Sequence, residues 1–401
     1  MYHTCPLEGI KVLDFTQVLS GPFGTMLLGD LGAEIIKVEP PITGDSTRGS
    51  GPPFQQGESA YFFCVNRNKK SISVDLKKTE GVEVIRRIVA RDCDVVAESF
   101  RPGVMDRLGL GYEEMKKIKG DLIYSSLSAF GNKGPYRDRP GFELIVQGLT
   151  GLVSITTEPG REPAKIQPQI VDLGSGMFQA FSILAALYYK QRTGQGQRVE
   201  TSLLESTIAI MANLVGIYFM TGKVPMGLGT RNPQLMPSQA FKTRDSYMLT
   251  VIGGVQLWAR FCKALGKPEW ITDENLSKNL YRVEHRYEVE KMIEEVTTTK
   301  TTEEWIEIFE EHQVPVGPIN TIEEMFEDPQ VKSLDMVVTI NHSKAGKIKL
   351  LSPPWKLSET PARVKLPPPI LGEHTTQVLK EKGFSLEEIK SLKRKGVIFG
   401  Q

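Results

Sequence analysis

IKVLDFTQVLSGPFGTMLLGDLGAEIIKVE (residues 10–39) reads as an apolar strand (10–15), a short helix (21–32) and a second apolar strand (34–39). Two strands with a helix between them and short loops form a βαβ unit, so the sheet is expected to be parallel. The pattern continues downstream. SISVDL (71–76) and DVVAES (94–99) flank a helix from Glu80 to Ala90, and a helix around Tyr112–Lys119 precedes LIYSSLSAF (122–130). Alternation of this kind predicts a doubly wound open sheet whose ligands sit at the carboxyl ends of the strands. Helices are then expected from Phe142 and from Met177, followed by a strand at QRVETSL and a helix over Leu204–Met220. Beyond a Gly-, Pro- and Met-rich stretch (222–241) come a hairpin and three amphipathic helices (about 256–266, 284–298 and 302–312). They read as a second, smaller domain. A two-stranded return with a Lys-Ala-Gly turn (333–357) and a proline-rich connection (361–375) lead into two short closing helices.

Across 401 residues, 49 Lys and Arg nearly cancel 48 Asp and Glu. No global field recruits nucleic acid or an anionic membrane, so an anionic ligand has to be held by local clusters. No apolar run is expected to reach the ~20 residues that span a bilayer, and strand-like sequence begins almost at once. The expectation is a cytoplasmic protein. Four widely spaced cysteines argue against both zinc and a disulfide framework. After His3 the next histidine is His285, so the half carrying the sheet lacks the usual general base. Chemistry there is expected to rest on carboxylates and backbone dipoles.

Three features could carry that chemistry. The first βα turn, SGPFG, with Glu39 ending the second strand, has the outline of a dinucleotide site, but Gly21 and Gly24 do not make GxGxxG. Basic residues gather at Arg67, Lys69, Lys70 and Lys77, at Arg101 and Arg107, and at Arg137 and Arg139. As a set they suit a ligand with several phosphates, such as coenzyme A or a nucleotide. In QPQIVDLGSGM (167–177), Asp172 stands between a short apolar run and a long apolar helix, with Gly174-Ser175-Gly176 leaving room for close approach. From its surroundings alone it is a helix cap, a metal ligand or a nucleophile.

The stretch from Leu7 to Pro41 resembles the class III CoA-transferases, the family of formyl-CoA and carnitine CoA-transferases. So do GDSTR (44–48), NRNKKSISVDLK (66–77), FRPGVMDRLGLGY (100–112), VDLGSGM (171–177), RTGQGQ (192–197) and PPPILGEHT (367–375). The nearest likeness is to the succinate–dicarboxylate branch. The resemblance implies a Rossmann-like large domain whose first part is 1–205, a linker helix at 206–224 and a small domain at 225–330. Residues 331–401 would form a linker and the return to the large domain. It also implies two open rings interlocked as a homodimer. It calls for no tightly bound cofactor and no metal; acyl-CoA and a free carboxylic acid are the substrates. Asp172 falls at the position of the nucleophile that is acylated by the thioester, and Glu143 matches an acidic residue beside it. Val18, Val74, Lys77, Ser99, Phe100, Arg107 and Arg139 fall where relatives contact CoA. Pro40 stands where relatives often carry a basic residue.

The same fold hosts α-methylacyl-CoA racemases, whose catalytic histidine would lie at Phe142, and phenylalanine cannot take up a proton. Two further functions compete with CoA transfer: non-catalytic binding of acyl-CoA, and a nucleotide-dependent dehydrogenase built on the Rossmann-like half. Arg48, Arg231 and Arg282 are candidates to read the distal carboxylate of a diacid.

Overall fold

The computed structural model describes residues 5–401. The chain divides into two compact units. The first comprises residues up to Leu152 together with Lys165–Lys223 and Asp335–Gln401; the second comprises Val153–Ala164 and Val224–Leu334. Residues 153–164 therefore belong with the second unit, not with the sheet-bearing stretch around them.

The first unit is built on seven strands: β1 (Lys11–Phe15), β2 (Glu34–Glu39), β3 (Lys69–Val74), β4 (Val95–Glu98), β5 (Ile123–Ser128), β6 (Arg198–Ser202) and β7 (Ile398–Phe399). Their order is β7-β3-β2-β1-β4-β5-β6. All neighbours run parallel except β7, which lies antiparallel on the β3 edge. The order reverses between β1 and β4, so a crevice opens at their carboxyl ends.

Alternation along the strands feeds two apolar layers. Leu13, Ile36 and Val96 join Val84, Ile85, Ile88 and Leu379 on one face of the sheet. Val12, Ile35 and Val95 join Met26, Leu28, Ala180 and Ile183 on the other. Covered on both faces, these strands read as near-continuous apolar runs, as buried parallel strands do.

The second face is covered by α1 (Ser20–Asp30), and the first by α2 (Thr79–Asp92). Further on come α3 (Glu143–Leu149) and the 24-residue α4 (Ile170–Thr193), which packs along α1. Glycine is required at this contact. A Cβ on Gly176 would lie 2.3 Å from the Ser20 carbonyl oxygen, and one on Gly24 2.7 Å from the Gly176 oxygen.

Two expectations change here. α4 begins at Ile170 rather than near Met177, and by length and composition it would pass for a membrane-spanning segment. Its buried face, with Ser175, Gln179 and Ile183, makes it a core helix of this unit. The helix expected over 204–220 is instead two, α5 (Leu203–Ile210) and α6 (Ala212–Thr221), bent by 71° at Met211.

The second unit pairs strands 238–242, 247–251 and 316–318 in an antiparallel sheet. Helices 255–264, 286–297 and 302–311 pack on it around Trp258, Phe261, Trp305 and Phe309. The last helix starts on a Thr301/Glu304 capping box, which fixes its first turn.

Candidate active site

Asp172 lies in the first turn of α4, three residues past the cap position Gln169, so it is not the helix cap. The acceptor for that end of the helix comes from α3. The Glu143 carboxylate accepts the Val171 N–H (3.3 Å) through Oε1 and the Asp172 N–H (2.7 Å) through Oε2. Gln147 Nε2 donates to the same Oε1 at 2.7 Å, and its own carbonyl oxygen accepts the Ile166 N–H at 3.1 Å. Glu143 is 6 % exposed. A buried carboxylate is thus matched to N–H groups that an α-helix leaves without intrahelical partners.

The helix dipole favours an ionised Asp172, yet burial outweighs it. Its carboxyl is pushed from 3.8 up to about 7, by burial first and by the Glu143 charge second. Tyr61 is half-buried beside the pair, its phenol pushed up to about 12 by burial and then by the charges of Asp172, Cys64 and Glu143. Nothing in the sequence around Tyr61 marks it. It lies in a four-residue helical turn capped by Ser59, remote in sequence from 143 and 172.

The turn after β1 lies at the switch point. Val18 holds φ 69° there, and the Gln17 N–H donates to Ser99 Oγ at the end of β4 (2.9 Å). Val18, Ser99 and Phe100 therefore come together at the crevice. Phe100 packs against the first apolar layer, and its N–H donates to Glu98 Oε2 at 2.7 Å. Lys77, Arg107 and Arg139 stand exposed after β3, β4 and β5, Arg107 at the end of the helical turn Val104–Arg107 and Arg139 stacked 3.9 Å over Tyr136.

Val74 differs from expectation. Its side chain is wholly buried in the core, so only its backbone could meet a ligand.

Several cations expected to bind anions are already committed. Arg67 forms a buried pair with Asp30 (2.6 Å), Lys69 with Asp14 (3.1 Å), and Lys70 bridges Glu34 and Glu381. Arg48 grips Glu39 through Nε and Nη2, both at 2.7 Å, and lies 3.8 Å over Phe62. Arg231 is held by Glu290 and Glu158, while Arg282 donates to the carbonyls of Met236 and Leu276. The three arginines expected to read a distal carboxylate are thus spent on the fold. Arg101 and Arg137 differ: with Lys133, Arg198 and Glu98 they line a cavity of about 320 Å³.

A model of CoA-transferase family III matches residues 7–375. The chain belongs to CoA-transferase family III. Among family III relatives, the human succinyl-CoA:glutarate CoA-transferase is 40 % identical, the match covering 94 % of this chain and 86 % of that protein. The succinate–glutarate CoA-transferase of Agrobacterium fabrum is 39 % identical, covering 94 % and 95 %. The crystal structure of a CAIB/BAIF family protein from Brucella suis superposes with a TM-score of 0.83 at 35 % identity, covering 95 % of this chain and all of that one. The family III membership makes the chain an enzyme, an acyl-CoA:carboxylate CoA-transferase. The α/β fold with its parallel central sheet is the fold of these structural neighbours.

Proposed function

We propose that the enzyme exchanges CoA between succinyl-CoA and a second dicarboxylate of glutarate size, through acyl intermediates on Asp172. The observation that carries the mechanism is the Asp172–Glu143 pair. A carboxylate raised to about 7 is a stronger nucleophile than a solvated one and is still substantially ionised at neutral pH. Its neighbour Glu143 is tied into the backbone and cannot swing away. The diacid reading rests on the two relatives at 39–40 % identity, whose names specify succinate or succinyl-CoA with glutarate.

An Asp172 carboxylate oxygen attacks the thioester carbonyl, the C–S bond breaks, and CoA thiolate leaves a mixed anhydride. The thiolate attacks the aspartyl carbonyl of that anhydride, releasing the donor acid and forming an aspartyl-CoA thioester. The acceptor carboxylate attacks this thioester, giving a second anhydride and thiolate again. Thiolate attack on the acceptor's carbonyl yields the new acyl-CoA and frees Asp172. One thioester is lost and one gained, so no outside energy source is needed. Water has to be kept from the anhydrides.

Acceptor acid labelled in both carboxylate oxygens with oxygen-18 is expected to leave label in the Asp172 side chain after turnover, read by peptide mass spectrometry. An unlabelled Asp172 peptide after many turnovers rules the covalent route out. In a panel with succinyl-CoA as donor, glutarate is expected to outpace acetate and oxalate. Equal rates for monoacids and diacids would remove the diacid assignment.

The enzyme is further proposed to work as an interlocked homodimer. Phe219 and Met220 on α6 are 77 % and 89 % exposed, and Phe181 and Tyr188 on α4 are 69 % and 62 % exposed. Large apolar side chains left this exposed on two helices support a contact face there. Light scattering at micromolar concentration is expected to give twice the chain mass, about 89 kDa against 44.7 kDa for one chain; a monomer that is fully active would refute it.

A further inference from the structure

The segment between β1 and α1 is held by more bonds than a turn needs. Three consecutive backbone N–H groups donate to three side chains from different parts of the chain. The Thr16 N–H goes to Asp14 Oδ1 (2.9 Å), the Gln17 N–H to Ser99 Oγ (2.9 Å) and the Val18 N–H to Asp45 Oδ1 (3.3 Å). The Thr16 carbonyl accepts Lys37 Nζ at 2.7 Å. Val18 is the residue that needs such restraint. A β-branched side chain at φ 69° is an outlier costing about 1–3 kcal/mol, and it persists only where the surroundings over-determine it.

Asp45 is itself fixed from two directions. Its Oδ2 lies 2.9 Å from Lys37 Nζ, both side chains being wholly buried. Its own N–H donates to Glu39 Oε2, the carboxylate that also holds Arg48. Thr47 adds two more donors to Oδ1. Lys37 therefore ties the carbonyl of the turn to the carboxylate that clamps the turn's N–H. The ion pair costs desolvation that an apolar pair would avoid, and it sits at a turn lying on the switch-point crevice, where open α/β sheets receive their ligands.

We propose that Asp45, anchored by Lys37, is a positioning residue. Its carboxylate and the Ser99 hydroxyl hold the 16–18 turn, with Val18 in the left-handed conformation, in the shape that receives CoA. This rests on the reading that the turn lies in the CoA site. Glycine adopts positive φ without strain, so a Val18→Gly chain should need the clamp less.

The test is a double-mutant cycle read as the Kd for free CoA by calorimetry, with melting temperature as the check on folding. In Asp45→Asn, either orientation of the amide sets donor against donor, NH2 facing the Lys37 ammonium or the Val18 and Thr47 N–H groups. D45N is expected to weaken CoA about tenfold in the native background and less than threefold in V18G. Equal losses in both backgrounds overturn the proposal. If D45N does not fold, Ser99→Ala carries the test, since it leaves the buried ion pairs in place. A direct Ser99–CoA contact would cost the same with or without V18G; a clamp costs less in V18G. Failure of the native enzyme to bind CoA at all would defeat the functional reading instead, and the two failures are distinct.

Discussion

Replacing Asp172 by alanine is expected to lower CoA exchange by about a thousandfold or more, the loss seen when a covalent nucleophile is removed, and to make the protein more stable at pH 8. The second effect follows from the first group's own chemistry. Its carboxyl is raised from 3.8 to about 7 in the fold. A raised acid favours folding while protonated: the contribution is complete below about pH 4 and is lost as pH climbs through about 7. At pH 8 the folded chain bears a carboxylate that it disfavours. The shift sets a ceiling of about 4 kcal/mol, and the partial exposure of the side chain brings the expected gain to about 1–2 kcal/mol. Thermal melts of the native enzyme and D172A should therefore separate at pH 8 and converge near pH 4. A variant that keeps exchange, or that melts lower at pH 8 than at pH 4 relative to the native enzyme, contradicts this account of the site.

The second large effect concerns Glu143. The native enzyme should lose kcat/KM for acyl-CoA about tenfold per pH unit below about 7, as Asp172 takes up its proton. Glu143→Gln removes the like charge, the smaller of the two causes, so the acid limb should move down in pH without reaching the range of a solvated aspartate. The amide still offers one oxygen, so one of the two α4 N–H groups loses its acceptor and kcat should fall about tenfold. Glu143→Ala leaves both N–H groups and Gln147 Nε2 without that acceptor. It should cost about 1–3 kcal/mol of stability as well. An E143Q profile whose acid limb does not move would show that Glu143 exerts no field on the nucleophile.

The strands were readable because buried parallel strands must be apolar on both faces; β1, β2 and β4 lie within a residue or two of their expected bounds. The start of α4 was not. Pro168, Gly174 and Gly176 argue locally against helix, and the close fit of α1 against Gly176 and of Ile210 on α5 against Gly174, visible only in three dimensions, overrides them. Asp172 and Glu143 were legible as a pair through family resemblance, whereas their hydrogen bonds, running from a side chain on α3 to the backbone of α4, leave no trace in spacing. The basic residues misled for a related reason. Arg48, Arg67 and Lys69 looked available because Glu39, Asp30 and Asp14, which neutralise them, come from other strands and helices.

The glycine seam between α1 and α4 has an implication for how the enzyme tolerates change. The turn bearing Val18 leads into α1, and Asp172 rides on the first turn of α4, so under the proposed mechanism the seam acts as a gauge block setting the span from the thioester carbonyl carbon to the Asp172 oxygen. A single methyl at Gly176 would wedge the helices apart by a fraction of an ångström or more. Bond-forming distances forgive far less than packing does, and about 1 Å of misplacement can cost about 10²-fold. Such a variant would fold, hold its ligand and turn over poorly, a defect of calibration rather than of composition.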